Sequence, residues 1–335
     1  MRQQTRRKLP KLANMNPSVL FHPAFSHPVL TSLLPVILLI VMGYMAGKLG
    51  FIKASATKDY SNLIFFVLLP PLLFRTMAQT HPEALQVLPV LAYLGSMVVT
   101  FAGVMLIKGI NQHSIILSLA ATYGNIVMIG IALIGFAYGA AGQAVLFSLI
   151  SVHAIVMLTS ATLMLEWLRK KDENTHPMQT AIVALRGALL QPTTWPIVLG
   201  LAYSQTGFGI PILLDRPMQL LGQAFSPLAL VLVGLTLSAT QFGEHIKPAL
   251  GLAMLKNFVQ PLLVLSLGLL LGLHGLPLTV MVVVASLPMG ANVFMFSERY
   301  QESEALITTS VSVSTVVALF SVALTMALTP YIANI

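Results

Sequence analysis

Long apolar runs dominate this chain and decide what it can fold into. Ten of them lie at about 29–47, 60–78, 85–107, 114–138, 143–168, 182–206, 217–240, 248–273, 277–297 and 304–333, divided by short polar gaps. Crossing a bilayer takes ~20 residues at 1.5 Å per residue, and each run meets that length. No period-2 alternation runs through them, so they read as helices and not as barrel strands. Charged residues make up 8% of the chain, against roughly 25% in soluble domains. In water such a chain would expose more apolar surface than polar residues could cover. The expected class is an all-α polytopic membrane protein seated in a lipid bilayer.

Two of the runs are interrupted in the same way. Ser286-Leu287-Pro288-Met289-Gly290-Ala291-Asn292-Val293 breaks the ninth, and Tyr123-Gly124-Asn125-Ile126-Val127-Met128 breaks the fourth. Pro288 has no amide hydrogen to give a helix. Gly124 and Gly290 ease unusual backbone angles. Asn125 and Asn292 carry donors and acceptors that hydrocarbon cannot satisfy. Irregular backbone survives at membrane depth only inside protein or against a watery cavity. Broken helices at corresponding places in two halves point to a secondary transporter's binding site.

The charged gap Arg169-Lys170-Lys171-Asp172-Glu173-Asn174 divides the runs into two sets of five. The expected organisation is a polar tail at 1–28, a first five-helix repeat at 29–168, a linker at 169–181 and a second repeat at 182–335. An odd number of spans per half makes the repeats inverted. Asn125-Ile126-Val127-Met128 and Asn292-Val293-Phe294-Met295 occupy corresponding fourth helices, and Pro70 and Pro227 corresponding second ones. Orientation follows from the cationic loops. Eleven Lys and Arg fall on one side, from Lys48 to Arg299, and two on the other, Arg75 and Arg216. That puts the 169–181 loop in the cytoplasm and both termini outside. The five cations of the tail argue the other way, and a translation start at Met15 would remove them.

A net charge of +8 suggests nucleic acid until the charges are placed. They cluster in the tail and in short gaps, with no basic stripe interleaved with aromatics, so nucleic acid is not expected as a partner. There is no cysteine, which excludes disulfides and thiolate metal sites. The eight histidines, among them His113 and His153, show no i, i+4 pairing, so neither a metal nor any other cofactor is expected.

Several stretches together resemble the auxin efflux carrier family. These are Gly43-Tyr44 with Lys48-Leu49-Gly50, Leu63 to Phe74 with Pro70-Pro71, Lys256 followed by Pro261, and Leu287-Pro288 through Asn292 to Arg299-Tyr300. The likeness spans nearly all of 29–333. Bacterial members include carriers of malonate and other organic acids. The resemblance implies ten helices in two inverted repeats, with the fourth and ninth unwound and crossing, and elevator-type transport of organic anions across the inner membrane. It carries the crossover residues onto Asn125, Asn292 and Pro288. One departure stands out: the family commonly has proline at both crossovers, and residues 90–176 contain none.

The candidate substrate-binding set is therefore Gly124, Asn125, Pro288, Gly290, Asn292 and Lys256. The two asparagines would supply directed hydrogen bonds beside helix ends whose bared N–H groups favour a carboxylate; each could instead bond a neighbouring helix. Lys256 lies ~12 Å into its span, where an ammonium is functional by default unless its stem snorkels to the interface. Asp59 and Glu298 are candidates to couple a proton, or the coupling ion is sodium; a solvated helix end is the better reading of both. Arg75 reads as an interfacial anchor. Gly43-x-x-x-Gly47 and Gly268-x-x-x-Gly272 permit close helix contact, inside the chain or in a homodimer. A membrane enzyme would need a convergent acid, base or metal cluster that the scattered charges do not form. A sensor without transport is the other alternative to a carrier.

Overall fold

A computed structural model describes residues 28–80, 87–169, 182, 186, 193–239 and 245–333. The tail with Met15, most of the 169–181 linker and most of 182–192 lie outside the described residues.

Eleven helices are used below: α1 (Pro28–Lys48), α2 (Thr57–Ala78), α3 (Val87–Lys108), α4 (Gln112–Thr122), α5 (Ile131–Arg169), α6 (Thr194–Ser204), α7 (Ile212–Ala239), α8 (Ile246–Leu270), α9 (Gly275–Ala285), α10 (Asn292–Tyr300) and α11 (Glu304–Ala333). Seven helical stretches are long and apolar enough to cross a membrane. Among the described residues there is no strand; two residues form an isolated bridge. The expected fourth and ninth runs are absent from the seven because each is cut in two. Only the 11-residue α6 of the expected sixth run is described as a helix. The fifth run joins the fourth's second half as one helical stretch bent at Gly139, whose φ of 59° is left-handed and so suits glycine.

Local chemistry sets the helix ends. Asn111 caps α4: its Oδ1 accepts from Ser114 N at 2.8 Å, and Ser114 Oγ accepts from Asn111 N at 3.2 Å. That reciprocal pair satisfies two N-terminal groups with no intrahelical partner. Wider π turns occur at Leu63–Leu68 in α2, at Ile126–Gly130 leading into α5, and at Leu255–Val259 in α8. Such turns are rare and concentrate at functional sites.

The helices pack as two groups. α1, α2, α6 and α7 form one; α3, α4, α8, α9, α10 and α11 form the other, with α5 lying against both. The α1–α7 seam is backbone against backbone. A Cβ on Gly43 would collide with the Val231 carbonyl, and one on Gly234 with the Ile40 carbonyl. Gly47 meets the Ser238 side chain in the same way, and Gly268 meets Leu278. Of the two readings of the glycine motifs, contact inside the chain is the one seen at these positions.

Candidate functional site

The two interruptions meet. Residues 123–125 and 288–290 run antiparallel, with Asn125 N donating to Pro288 O at 2.7 Å and Gly290 N to Tyr123 O at 2.9 Å. Gly124 and Met289 form the bridge between them. Gly290 is required by proximity: a Cβ there would lie 2.7 Å from the Tyr123 ring. Pro288 withholds its amide but strands no acceptor, because Leu287 N bonds Val284 O at 3.3 Å.

One half of the crossing is tied down from behind. α9 ends in carbonyls that would otherwise face hydrocarbon. Lys256, fully buried, donates from Nζ to Ala285 O at 2.6 Å and Leu287 O at 2.9 Å. Ser286 O accepts from Asn257 Nδ2 and from Ser321 Oγ, both at 3.0 Å. Ser314 Oγ donates to Asn257 Oδ1 at 2.7 Å and accepts from Met289 N at 3.0 Å. One turn on, Gln260 joins Ser96 and Thr100 of α3 at 3.0 and 2.6 Å. The π turn of α8 brings Lys256 and Asn257, adjacent in sequence, onto the same helix end. A cation at a helix C-terminus also offsets the dipole's negative end.

In front of the crossing lies a cavity of about 40 Å³, lined by Tyr123, Gly124, Asn125, Gly290, Ala291 and Asn292 together with Phe65, His153 and Thr193. A water needs roughly 10–15 Å³ by such a measure, so the space suits a few waters or one small polar group. Asn125 and Asn292 are half-buried on its wall. Asn292 Nδ2 donates to Tyr123 Oη at 2.9 Å, leaving the phenol proton free to donate. α10 begins at Asn292, and the helical stretch into α5 begins at Ile126, so two helix starts border the space. At the α10 start, Val293 N and Phe294 N turn back to Gly290 O and Ala291 O at 3.1 and 3.0 Å; the first N–H groups of the stretch from Ile126 have no partner within the helix.

Of the six binding candidates, Gly124, Asn125, Gly290 and Asn292 line this cavity. Pro288 contributes its carbonyl to the bridge, while its ring borders an apolar cavity with Leu33, Ile129 and Thr315. Lys256 sits behind the break, holding carbonyls, and reaches no interface. Asp59 and Glu298 are exposed and do not line the cavity. Arg75 is no lone anchor: its Nε and Nη2 donate to Asp215 Oδ1 and Oδ2 at 2.7 and 3.1 Å, tying α2 to α7. No metal-holding cluster of His, Asp and Glu occurs among the described residues.

Sequence reasoning overlooked His153, Thr193 and Tyr123. His153 was set aside for lacking a spaced partner, though a lone imidazole in the middle of an apolar span is itself a signal.

A second cavity of about 450 Å³ lies between α2, α5 and α7, along the stretch from Ile131 to Gln143. Arg75, Thr76, Gln143, Gln219, Gln223 and Ser226 give it a polar wall.

Comparison with known proteins agrees with this architecture. Residues 28–326 match the model of a family described as "Membrane transport protein". A Rhizobium meliloti (strain 1021) protein named "Putative malonate transporter" is 28% identical over 300 residues, covering 85% of this chain and 93% of its own. "Uncharacterized transporter YfdV" of Escherichia coli (strain K12) is 24% identical over 290 residues, covering 84% and 91%. A multi-pass helical chain matched over nearly its whole length by such a model is a transporter and not an enzyme: it belongs to the membrane transport protein family, the auxin efflux carriers that its motifs resemble.

Proposed function

We propose that this protein is a secondary active transporter of small organic anions, mono- or dicarboxylates such as malonate and malate or auxin-like acids, across the bacterial cytoplasmic membrane. Ten spans form two inverted five-helix repeats, 29–168 and 182–335, joined by a cytoplasmic linker at 169–181, with both termini outside. The substrate sits at the crossing of the fourth and ninth spans, held by Asn125, Asn292 and the helix starts beside Gly124 and Gly290. Lys256 serves this site indirectly, by fixing the end of α9 that positions Met289 and Gly290.

The observation that carries the reading is the antiparallel bridge between residues 123–125 and 288–290, with its asparagine-lined cavity. Bared N–H groups and neutral amides favour a carboxylate without the cost of a fixed buried cation. Two further features support alternating access of the elevator kind. The helices form two groups that share α5, and two separate cavities border successive parts of the Ile126–Gln143 stretch. The name of the Rhizobium relative makes malonate the first acid to try.

Purified protein in liposomes should accumulate labelled malonate or a related acid, and Asn292→Ala and Asn125→Ala should each lower uptake at least tenfold while the thermal midpoint holds. Uptake unchanged in both variants would remove the crossing as the site. Binding without uptake in the wild type would favour the sensor reading.

A further inference from the structure

We propose that His153 and Thr193 complete the anion site, and that His153 takes up a proton as the anion binds, so that the two cross the membrane together. The inference rests on the crossing being the substrate site.

His153 comes from α5, which lies against both helix groups, and Thr193 immediately precedes α6, in the group of α1, α2 and α7. Both line the cavity together with Asn125 and Asn292. Both ring nitrogens of His153 and Oγ1 of Thr193 are buried with no hydrogen-bond partner. Leaving such atoms unpaired is costly, and three of them on one small polar wall point to an occupant that pairs with them. The ring is held in place by aromatic contact, 4.5 Å from Tyr123 and 5.9 Å from Tyr93 between centroids. Stacking of this kind fixes the ring plane but satisfies neither nitrogen.

The chemistry then follows from valence. A carboxylate only accepts hydrogen bonds. Neutral imidazole has one donor and one acceptor, so one nitrogen would meet the anion with a lone pair. Protonation turns both nitrogens into donors. A lone imidazolium here would be an unpaired buried charge, so the proton binds well only when the carboxylate is present, and each ligand raises affinity for the other equally. In the step itself, a hydronium ion on the entry side gives its proton to an imidazole lone pair and leaves as water, and the new N–H donates to the carboxylate; on the far side that N–H bond breaks, the proton passes to water, the imidazole is neutral again and the carboxylate leaves with the proton. The titratable groups facing the ring are Tyr93 from α3, Tyr123 at the end of α4, and Lys256 from α8, whose charge acts on it. Among the described residues, the cavity lining holds no titratable side chain besides Tyr123 and His153. Lys256 is already committed to the α9 carbonyls, which leaves His153 as the group able to change charge with the ligand. Thr193 adds a contact from the helix group that holds α6.

The test is a titration of the purified full chain in detergent with malonate, in weakly buffered solution near pH 7 with a pH-sensitive dye, beside calorimetry in two buffers of different ionisation enthalpy. The wild type should take up about one proton per malonate bound. His153→Gln should bind malonate about tenfold more weakly or worse, with no proton uptake and a preserved thermal midpoint. Thr193→Val should weaken binding and leave the proton count unchanged. Should His153→Gln unfold, His153→Asn with the same readout decides. Proton uptake persisting in the histidine variants, with binding intact, overturns this inference and leaves the anion site standing. No binding of malonate or related acids by the wild type overturns both.

Discussion

Lys256 and Gly290 are single residues whose removal should be felt across the whole crossing. Lys256→Met deletes the donor to Ala285 O and Leu287 O at a fully buried position. Leaving buried acceptors unpaired costs about 1–3 kcal/mol, so the thermal midpoint of purified Lys256→Met should fall, and anion affinity with it as α9 loosens. An unchanged midpoint would mean that those carbonyls find other partners. Gly290→Ala places a methyl against the Tyr123 ring and the Gly124 carbonyl. Overpacking of that kind costs about 1–3 kcal/mol, and uptake should drop more than for Ala291→Gly, since Ala291 is exposed beside it. The sequence marked Lys256 as functional by depth alone. Its target was not legible there, because the carbonyls it holds belong to a segment about thirty residues further on, and no local pattern records that pairing.

Among the elements, legibility followed continuity. Uninterrupted apolar runs such as 29–47 and 60–78 became α1 and α2 with ends shifted by a few residues, because length and hydropathy alone define a span. The fourth break is harder: with no proline between residues 90 and 176, Gly124 and Asn125 signal it, and the break falls at Tyr123–Asn125 all the same. What holds it is the strand-like pairing with residues 288–290, a tertiary effect that local propensity cannot show. The bend at Gly139 and the three π turns were likewise silent in sequence. The α1–α7 seam is half visible in the sequence: Gly43 and Gly47 stand out as a motif, while Gly234, which meets the Ile40 carbonyl across the same seam, does not. Gly234→Leu should separate this seam and lower the thermal midpoint by more than a Gly251→Leu control, whose position faces open space. Equal effects would show that the close approach contributes little.

At the scale of the molecule, the helices form two groups that share α5, and two separate cavities border that shared helical stretch; the proposed elevator movement needs the groups to shift against each other. The chain has no cysteine, so paired cysteines placed at Gln143 and Gln219, on α5 and α7 around the larger cavity, are the only thiols present. Bridging them with a short bifunctional maleimide should stop uptake while leaving malonate binding in detergent near its original strength; uptake that survives full cross-linking would argue against relative motion of the groups. If an anion occupies the cavity where the two broken helices cross, a single cysteine at exposed Ala291 reports on it directly. Malonate, or whichever acid proves to be carried, should slow maleimide labelling of Ala291→Cys in a saturable way, while its uncharged diamide should not. Labelling that proceeds at the same rate at saturating acid would contradict the claim.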